Sequence, residues 1–241
     1  MDANLHFHIK TQPDDTTCGP TCLHAVYNYY GDIVPLEMII SQVRKLKGGG
    51  TLAVMLGCHA LNRGYRAKLY TYNLKVFDPT WFVKGSPPLI EKLKTQLEYK
   101  PGKRFQMASK AYMEFLRLGG KIYFEDLTSS LIRGLLKRSV PVLTGLSATY
   151  LFRSAREVVI NKKGSTIHDD IKGEASGHFV IICGYDKTQR TALVADPYLP
   201  NPFSDSHIYS VPVNRLICAI MLGILTYDAN LLVITPPKPK T

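Results

Sequence analysis

The stretch HFVIICGYDKTQRTALVADPY, His178 to Tyr198, sets the strongest limit on what this chain can become. Two apolar runs, His178 to Tyr185 and Arg190 to Ala195, flank a short polar turn from Asp186 to Gln189, which is the pattern of a β-hairpin. His178 and Asp196 lie about equally far from a turn centre near Lys187. Simple hairpin pairing therefore makes them approximate cross-strand neighbours, within reach of a side-chain hydrogen bond. Hairpins place some histidine opposite some aspartate by chance, so the pair acquires meaning only with a third group.

That group sits near the other end of the chain. From Cys18 to Tyr30, apolar side chains recur at Cys22, Leu23, Val26, Tyr27 and Tyr30, one face of a helix. Pro20 suits its first turn, and Gly31 suits the position just past its end. Cys18 therefore stands at a helix N-terminus, where unpaired backbone amides and the helix dipole favour a thiolate. Cys22, one turn further on, lies on the apolar face without that help. It reads, with Cys58, Cys183 and Cys218, as a small buried hydrophobe. Gln12, six residues before Cys18, is placed to turn its side-chain amide toward a carbonyl oxygen under attack, beside the Cys18 N–H. Asp14 and Asp15 read as a solvated turn.

Elsewhere the pattern predicts helices over Pro35–Lys45 and Leu52–Arg63, the second capped by Thr51 after the triple glycine Gly48–Gly50. A strand is expected over Arg66–Asn73. Pro87 to Phe115 is helical with a break at Pro101-Gly102, and Ser130–Arg138 is a further helix. Val140–Leu146 reads as a buried strand carrying one edge-tolerated proline. Arg153 to Gly177 is long and polar, either a mobile loop or an excursion over a binding cleft. IYSVPV and NLLVI read as strands around an apolar helix from Asn214 to Leu225, and the Pro-Lys coda as a frayed end. The class is α+β, with no internal repeat and no long linker.

Composition excludes several functions. Hydrophobic residues at 45% and charged residues at 20% describe a soluble globular protein. The start, MDANLHFHIK, lacks the basic and apolar stretches of a secretory signal. The longest apolar run, Leu216 to Leu225, is about half of what a bilayer requires, so no transmembrane segment is expected. Five cysteines without the spacing of a disulfide framework point to free thiols in a reducing, cytoplasmic setting. The net charge of +11 favours an acidic partner. The basic residues are scattered, and no recognition helix or aromatic-basic strand accompanies them, which disfavours nucleic acid. His6 with His8, or Cys18 and Cys22 with His24, lack the paired four-ligand clusters of structural zinc, and no metal or cofactor is expected. His168, beside Asp169 and Asp170, is a rival histidine in a polar loop with nothing to fix its geometry.

The order Gln-x5-Cys-Gly-Pro-x-Cys, then His-Phe-Val-Ile-Ile-x-Gly-Tyr-Asp, then Ala-Asp-Pro, resembles the papain-like cysteine peptidases of the bacteriocin-processing type. Those enzymes cleave leader peptides after a double glycine. The segment LIRGLLKRSVPVLTGL also resembles the helix-then-strand that precedes the family's catalytic hairpin. This chain would be a free-standing member, without the transporter to which the best-known members are fused.

The resemblance implies a papain-like two-lobe fold in one domain spanning 1–241. A helical lobe, about 12–135, would bear the nucleophile, and an antiparallel β lobe, about 136–235, would be joined by an N-terminal strand. It also implies Cys18 as nucleophile, His178 as base and acid, Asp196 as the residue orienting the imidazole, and Gln12 as oxyanion donor. The expected function is a cytoplasmic cysteine peptidase or amidase working through a Cys18 thioester on a peptide or amide substrate, an acidic one given the charge. One alternative is a peptidyl or acyl transferase that passes the same thioester to an amine. The other is a non-catalytic peptide-binding module, disfavoured because all four roles are filled.

Overall fold

The computed structural model describes residues 3–46, 49–160 and 166–237. Gly48 of the triple glycine, part of the long polar segment (161–165) and the coda from residue 238 onward lie outside the described residues. In chain order the elements are β1 (Ala3–Asn4), α1 (Cys18–Tyr29), α2 (Leu36–Gln42), α3 (Ala53–Asn62), β2 (Arg66–Thr71), α4 (Leu89–Tyr99), α5 (Lys103–Arg117), β3 (Lys121–Tyr123), α6 (Ser129–Leu136) and β4 (Val142–Ser147). They continue with α7 (Ala148–Phe152), β5 (Glu157–Val159), β6 (Thr166–His168), β7 (Gly177–Asp186), β8 (Thr191–Ala195), β9 (Ile208–Pro212), α8 (Val213–Leu222) and β10 (Asn230–Thr235). Short 3-10 turns occupy Pro79–Phe82 and Gly223–Thr226.

The fold is α+β, as expected. Its centre is an eight-stranded sheet ordered β3-β2-β10-β4-β7-β8-β9, with β1 added against β7. Only β2 and β3 run parallel; the other pairs are antiparallel. Phe179 to Cys183 are buried without exception. That is why the run carries no polar alternation: β7 is covered on both faces, by helices on at least one of them. α1 packs on β7, α3 on β2 and β10, and α8 on β4. β2 and β3, which come from the stretch assigned to the helical lobe, join the same sheet beyond β10.

Three local expectations change. β4 starts at Val142, so Pro141 stands just outside the ladder, and the strand is central, between β10 and β7, rather than at an edge. Thr51 does not cap α3: its hydroxyl donates to the Arg44 carbonyl at 2.9 Å, and the Ala53 N–H is taken instead by Asp228 Oδ1 at 2.8 Å. The apolar helix near the C-terminus stops at Leu222 and tightens into the 3-10 turn that ends at Thr226. The termination of α1 follows the sequence reading: Tyr30 ends the helix and Gly31, at φ +78°, takes the left-handed turn open to glycine.

Candidate active site

α1 begins at Cys18 because the residues before it tie themselves into a turn. Asp14 Oδ1 accepts from both the N–H and the hydroxyl of Thr16 at 2.8 Å. The Thr17 hydroxyl donates back to the Asp14 carbonyl at 2.9 Å. Asp14 is thus the residue that closes the approach to the helix. Burial resists its charge, but the Thr16 hydrogen bonds prevail and hold the carboxyl below the usual range. As the first helical residue, Cys18 has a backbone N–H with no carbonyl partner within the helix. Cys18 is 8% exposed.

His178 is the second residue of β7, opposite Leu146 of central β4. The β7–β8 register differs from the simple hairpin. Ile181 pairs with Ala195, and a bulge between Ile182 and Gly184 shifts the ladder by one residue. Asp196 therefore stands past the end of β8, diagonal to His178 rather than opposite it, on the same face of the sheet. The hydrogen bond survives the offset: His178 Nε2 lies 2.7 Å from Asp196 Oδ1. Cys18 lines the same cavity as His178 and acts on its imidazole electrostatically. Burial disfavours charge on the ring, yet the Asp196 carboxylate and the Cys18 sulfur outweigh it and push the imidazole up to about 10. The rings of Phe152 and Tyr198 flank it at centroid distances of 6.3 and 6.1 Å.

Asp196 is fully buried and every contact favours its ionised form. Oδ1 accepts from His178 and from the Tyr198 N–H at 2.8 Å, and Oδ2 accepts from the Tyr209 hydroxyl at 2.7 Å. Against the cost of burial, His178 first and then Tyr209 hold this carboxyl low. Tyr209 escaped the sequence reading. Its strand was recognised, but β9 pairs Tyr209 with Val194, and only that register reveals that the phenol reaches Asp196.

Gln12 is anchored by its backbone N–H to the carbonyl of Pro197, the residue after Asp196, at 2.9 Å. Its side-chain Nε2 donates to the Asp14 carbonyl at 3.0 Å, and its Oε1 is buried without a partner. One of the two amide hydrogens is thus committed to the turn and the second is free. His168 sits in β6, exposed, with Nδ1 3.3 Å from the Ala155 carbonyl, and takes no part in this cluster.

All five thiols are free. Cys22 Sγ donates to the Phe179 carbonyl at 3.3 Å, and burial pushes its pKa well up. Burial likewise raises Cys58 and Cys183 to about 12. Cys218 departs from expectation: it faces solvent, because α8 buries Val213, Leu216 and Ile220 on its opposite side.

Beside Cys18 and His178 opens a cavity of about 530 Å³. Glu157, Val159 and Thr166, from the antiparallel pair β5–β6, form part of its wall. The described part of the polar segment is thus an excursion over the cleft. Among the described residues, no helix is long and apolar enough to cross a membrane.

The class to which this arrangement points is the cysteine peptidases. Residues 4–215 match the Peptidase C39 like family, and the chain belongs to it. Similar solved structures include a double glycine motif protease from an AMS/PCAT transporter in complex with its leader peptide, at 15% identity over 97% of this chain and 94% of that one, with a TM-score of 0.45. The peptidase domain of Streptococcus ComA, a bi-functional ABC transporter involved in a quorum sensing pathway, matches at 14% identity over 96% and 99%, with a TM-score of 0.45. Xylellain, a cysteine protease from Xylella fastidiosa, matches at 16% identity over 98% and 86%, with a TM-score of 0.46. No curated protein matches in sequence.

Proposed function

We propose that this cysteine peptidase hydrolyses a peptide bond through a thioester on Cys18, with His178, Asp196 and Gln12 in the roles their positions suggest. The observation that carries the reading is that Cys18 and His178 line one cavity while Asp196 holds His178 by a 2.7 Å hydrogen bond. The Cys18 sulfur attacks the carbonyl carbon, and the oxyanion is met by the Cys18 N–H and the free amide hydrogen of Gln12. The His178 imidazolium gives its proton to the departing amine as the C–N bond breaks. Water then attacks the thioester, His178 takes a proton from it, and the C–S bond breaks to free the acid.

Asp196 holds the imidazole with its Nε2–H engaged, which leaves Nδ1 for Cys18. The chain acts as one unit in this reading, because α1 bearing Cys18 packs directly on β7 bearing His178. The five free thiols support a reducing, cytoplasmic setting. The surplus of positive charge supports an acidic peptide drawn in from a distance.

The test is iodoacetamide labelling with peptide mapping. Cys18 is expected to react much faster than Cys218, the ordinary exposed thiol of the same chain, and to lose that advantage in His178→Ala. Equal rates at Cys18 and Cys218 in the unmodified protein would refute the mechanism.

A further inference from the structure

Asp228 is a buried acid that the hydrolytic mechanism does not use. It lies in the turn before β10, beyond the residues matched to the family, and is 6% exposed. Yet it lines the same cavity as Cys18 and His178. Two glycines make room for this arrangement. A Cβ at Gly145 would lie 2.6 Å from the Asp228 Cβ, and one at Gly177 would lie 2.7 Å from Thr226 Oγ1, beside it on the wall.

The structural role of Asp228 does not explain its charge. Oδ1 caps α3 through the Ala53 N–H at 2.8 Å, a task that asparagine performs as well. Arg104 is near, but its guanidinium donates to the Thr226 carbonyl at 2.9 Å and lies over the Tyr227 ring at 5.3 Å. Among the described residues no ion pair reaches Asp228. The charged side chains around the cavity are Asp15, Glu157 and Asp228 against Lys103, Arg104 and the protonated His178, so the lining is balanced in number. Asp228 is its most buried acid, and none of these cations pairs with it.

We infer that this cavity is a side-chain subsite of the peptidase and that Asp228, in its lining, selects an arginine or lysine of the substrate within two residues of the scissile bond. The inference deepens the proposed function and rests on it for the position of the bond, but not for the chemistry of the cavity. A buried carboxylate without a counter-ion gains most from a cation that brings its own donors. An arginine side chain entering beside Cys18 brings both.

The pairing also has a pH signature. Burial pushes Asp228 up to about 7, against the opposing pull of the Ala53 N–H and Arg104. The groups that face it are the Ala53 N–H from α3, Arg104 and Tyr112 from α5 and Asn230 from β10, with Lys103, Glu157 and the Cys18–His178 pair around the cavity. His178, raised to about 10, keeps its proton across the neutral range. Preference for a cation over an apolar isostere therefore grows as pH rises through the titration of Asp228.

The test uses internally quenched peptides carrying arginine, citrulline or norleucine at one position at a time, from the third residue before the bond to the third after it. Rates are compared as ratios, which cancels the pH dependence of the chemistry itself. At about pH 8 arginine should exceed norleucine by about tenfold or more at one position, with a smaller ratio at about pH 6, and Asp228→Asn should abolish the preference. In parallel, n-butylguanidinium but not N-butylurea should protect Cys18 of the unmodified protein from iodoacetamide. That arm needs neither a variant nor hydrolysis. Equal rates for the three side chains at every position, with no protection, would overturn the inference. If no peptide is cleaved but guanidinium protection holds, the cavity assignment stands and the peptidase reading fails instead.

Discussion

Tyr209→Phe removes one oxygen, and the structure says what that oxygen does. The Tyr209 hydroxyl donates to Asp196 Oδ2 at 2.7 Å, and both residues are buried. Phenylalanine keeps the ring in place and leaves a buried carboxylate oxygen without its donor. A hydrogen bond to a charged group contributes about 1.5–3 kcal/mol. For a chain of this length that is a loss of about 3–12 °C in Tm near neutral pH. The same bond favours the ionised carboxylate, so its loss raises the Asp196 pKa in the folded protein. The sign follows from linkage. Asp196 is depressed in the folded protein, so its stabilisation is present above the unfolded value of about 3.9 and disappears as pH falls through the lower folded value. Wild type and variant should therefore differ most near neutrality and converge in acid, while the acid limb of kcat/KM moves up in the variant. Thermal unfolding at a series of pH values and a pH–rate profile read both effects. Unchanged Tm at neutral pH together with a superposable acid limb would show that phenol and carboxylate are not coupled.

Gly19→Ala should disturb the nucleophile from beneath, since its Cβ would lie 2.7 Å from Thr51 Cγ2 and 3.2 Å from Phe179 Cδ2. Overpacking of about 1–3 kcal/mol in Tm-based stability is expected, with a fall in kcat of about 10–100-fold as Cys18 shifts. Because the folded imidazole of His178 is raised to about 10, its pairing stabilises fully below an unfolded value of about 6.5 and is lost as pH climbs through the folded one. The Tm difference between wild type and His178→Gln should accordingly shrink from neutral to alkaline pH, as followed by calorimetry. Asp14→Ala removes the acceptor of both Thr16 hydrogen bonds and should cost about 1 kcal/mol in chemical denaturation, with slower alkylation of Cys18 as the helix start loosens.

What the sequence made legible was local or periodic. The helix beginning at Cys18 is written in its apolar spacing, with Pro20 and Gly31 at its ends, and the apolar run of β7 announces a strand. The pairing of His178 with Asp196 was approachable because a hairpin joins them through one short turn. Its detail was not, because a bulge at Cys183 leaves no mark on hydrophobic periodicity. Tyr209 and Asp228 lay further out of reach. One depends on the β8–β9 register, and the other joins the turn before β10 to the start of α3 across 175 positions of sequence. For the same reason Thr51 looked like the cap of α3: local sequence proposes local partners, while the tertiary fold supplied a stronger acceptor from elsewhere. Cys218 misled in the opposite way, since apolar neighbours in sequence do not fix which face of a helix a residue occupies.

The overall charge and the cleft point to different partners, and distance reconciles them. A net charge of +11 acts on an approaching peptide as a whole, and exposed cations such as Lys94 and Lys100 on or beside α4, and Lys110 on α5, lie among its sources. Such attraction fades over about 8–10 Å in physiological salt. At contact distance a buried carboxylate outweighs distant lysines, because its interaction acts over a short range in a medium less polar than water. Arg104, which lines the same cavity, is held to the Thr226 carbonyl and the Tyr227 ring rather than in an ion pair with Asp228. Under the proposed reading steering and selection carry opposite signs in one molecule: the surface charge would draw in peptides with acidic stretches, and Asp228 would favour those that present a cation beside the bond.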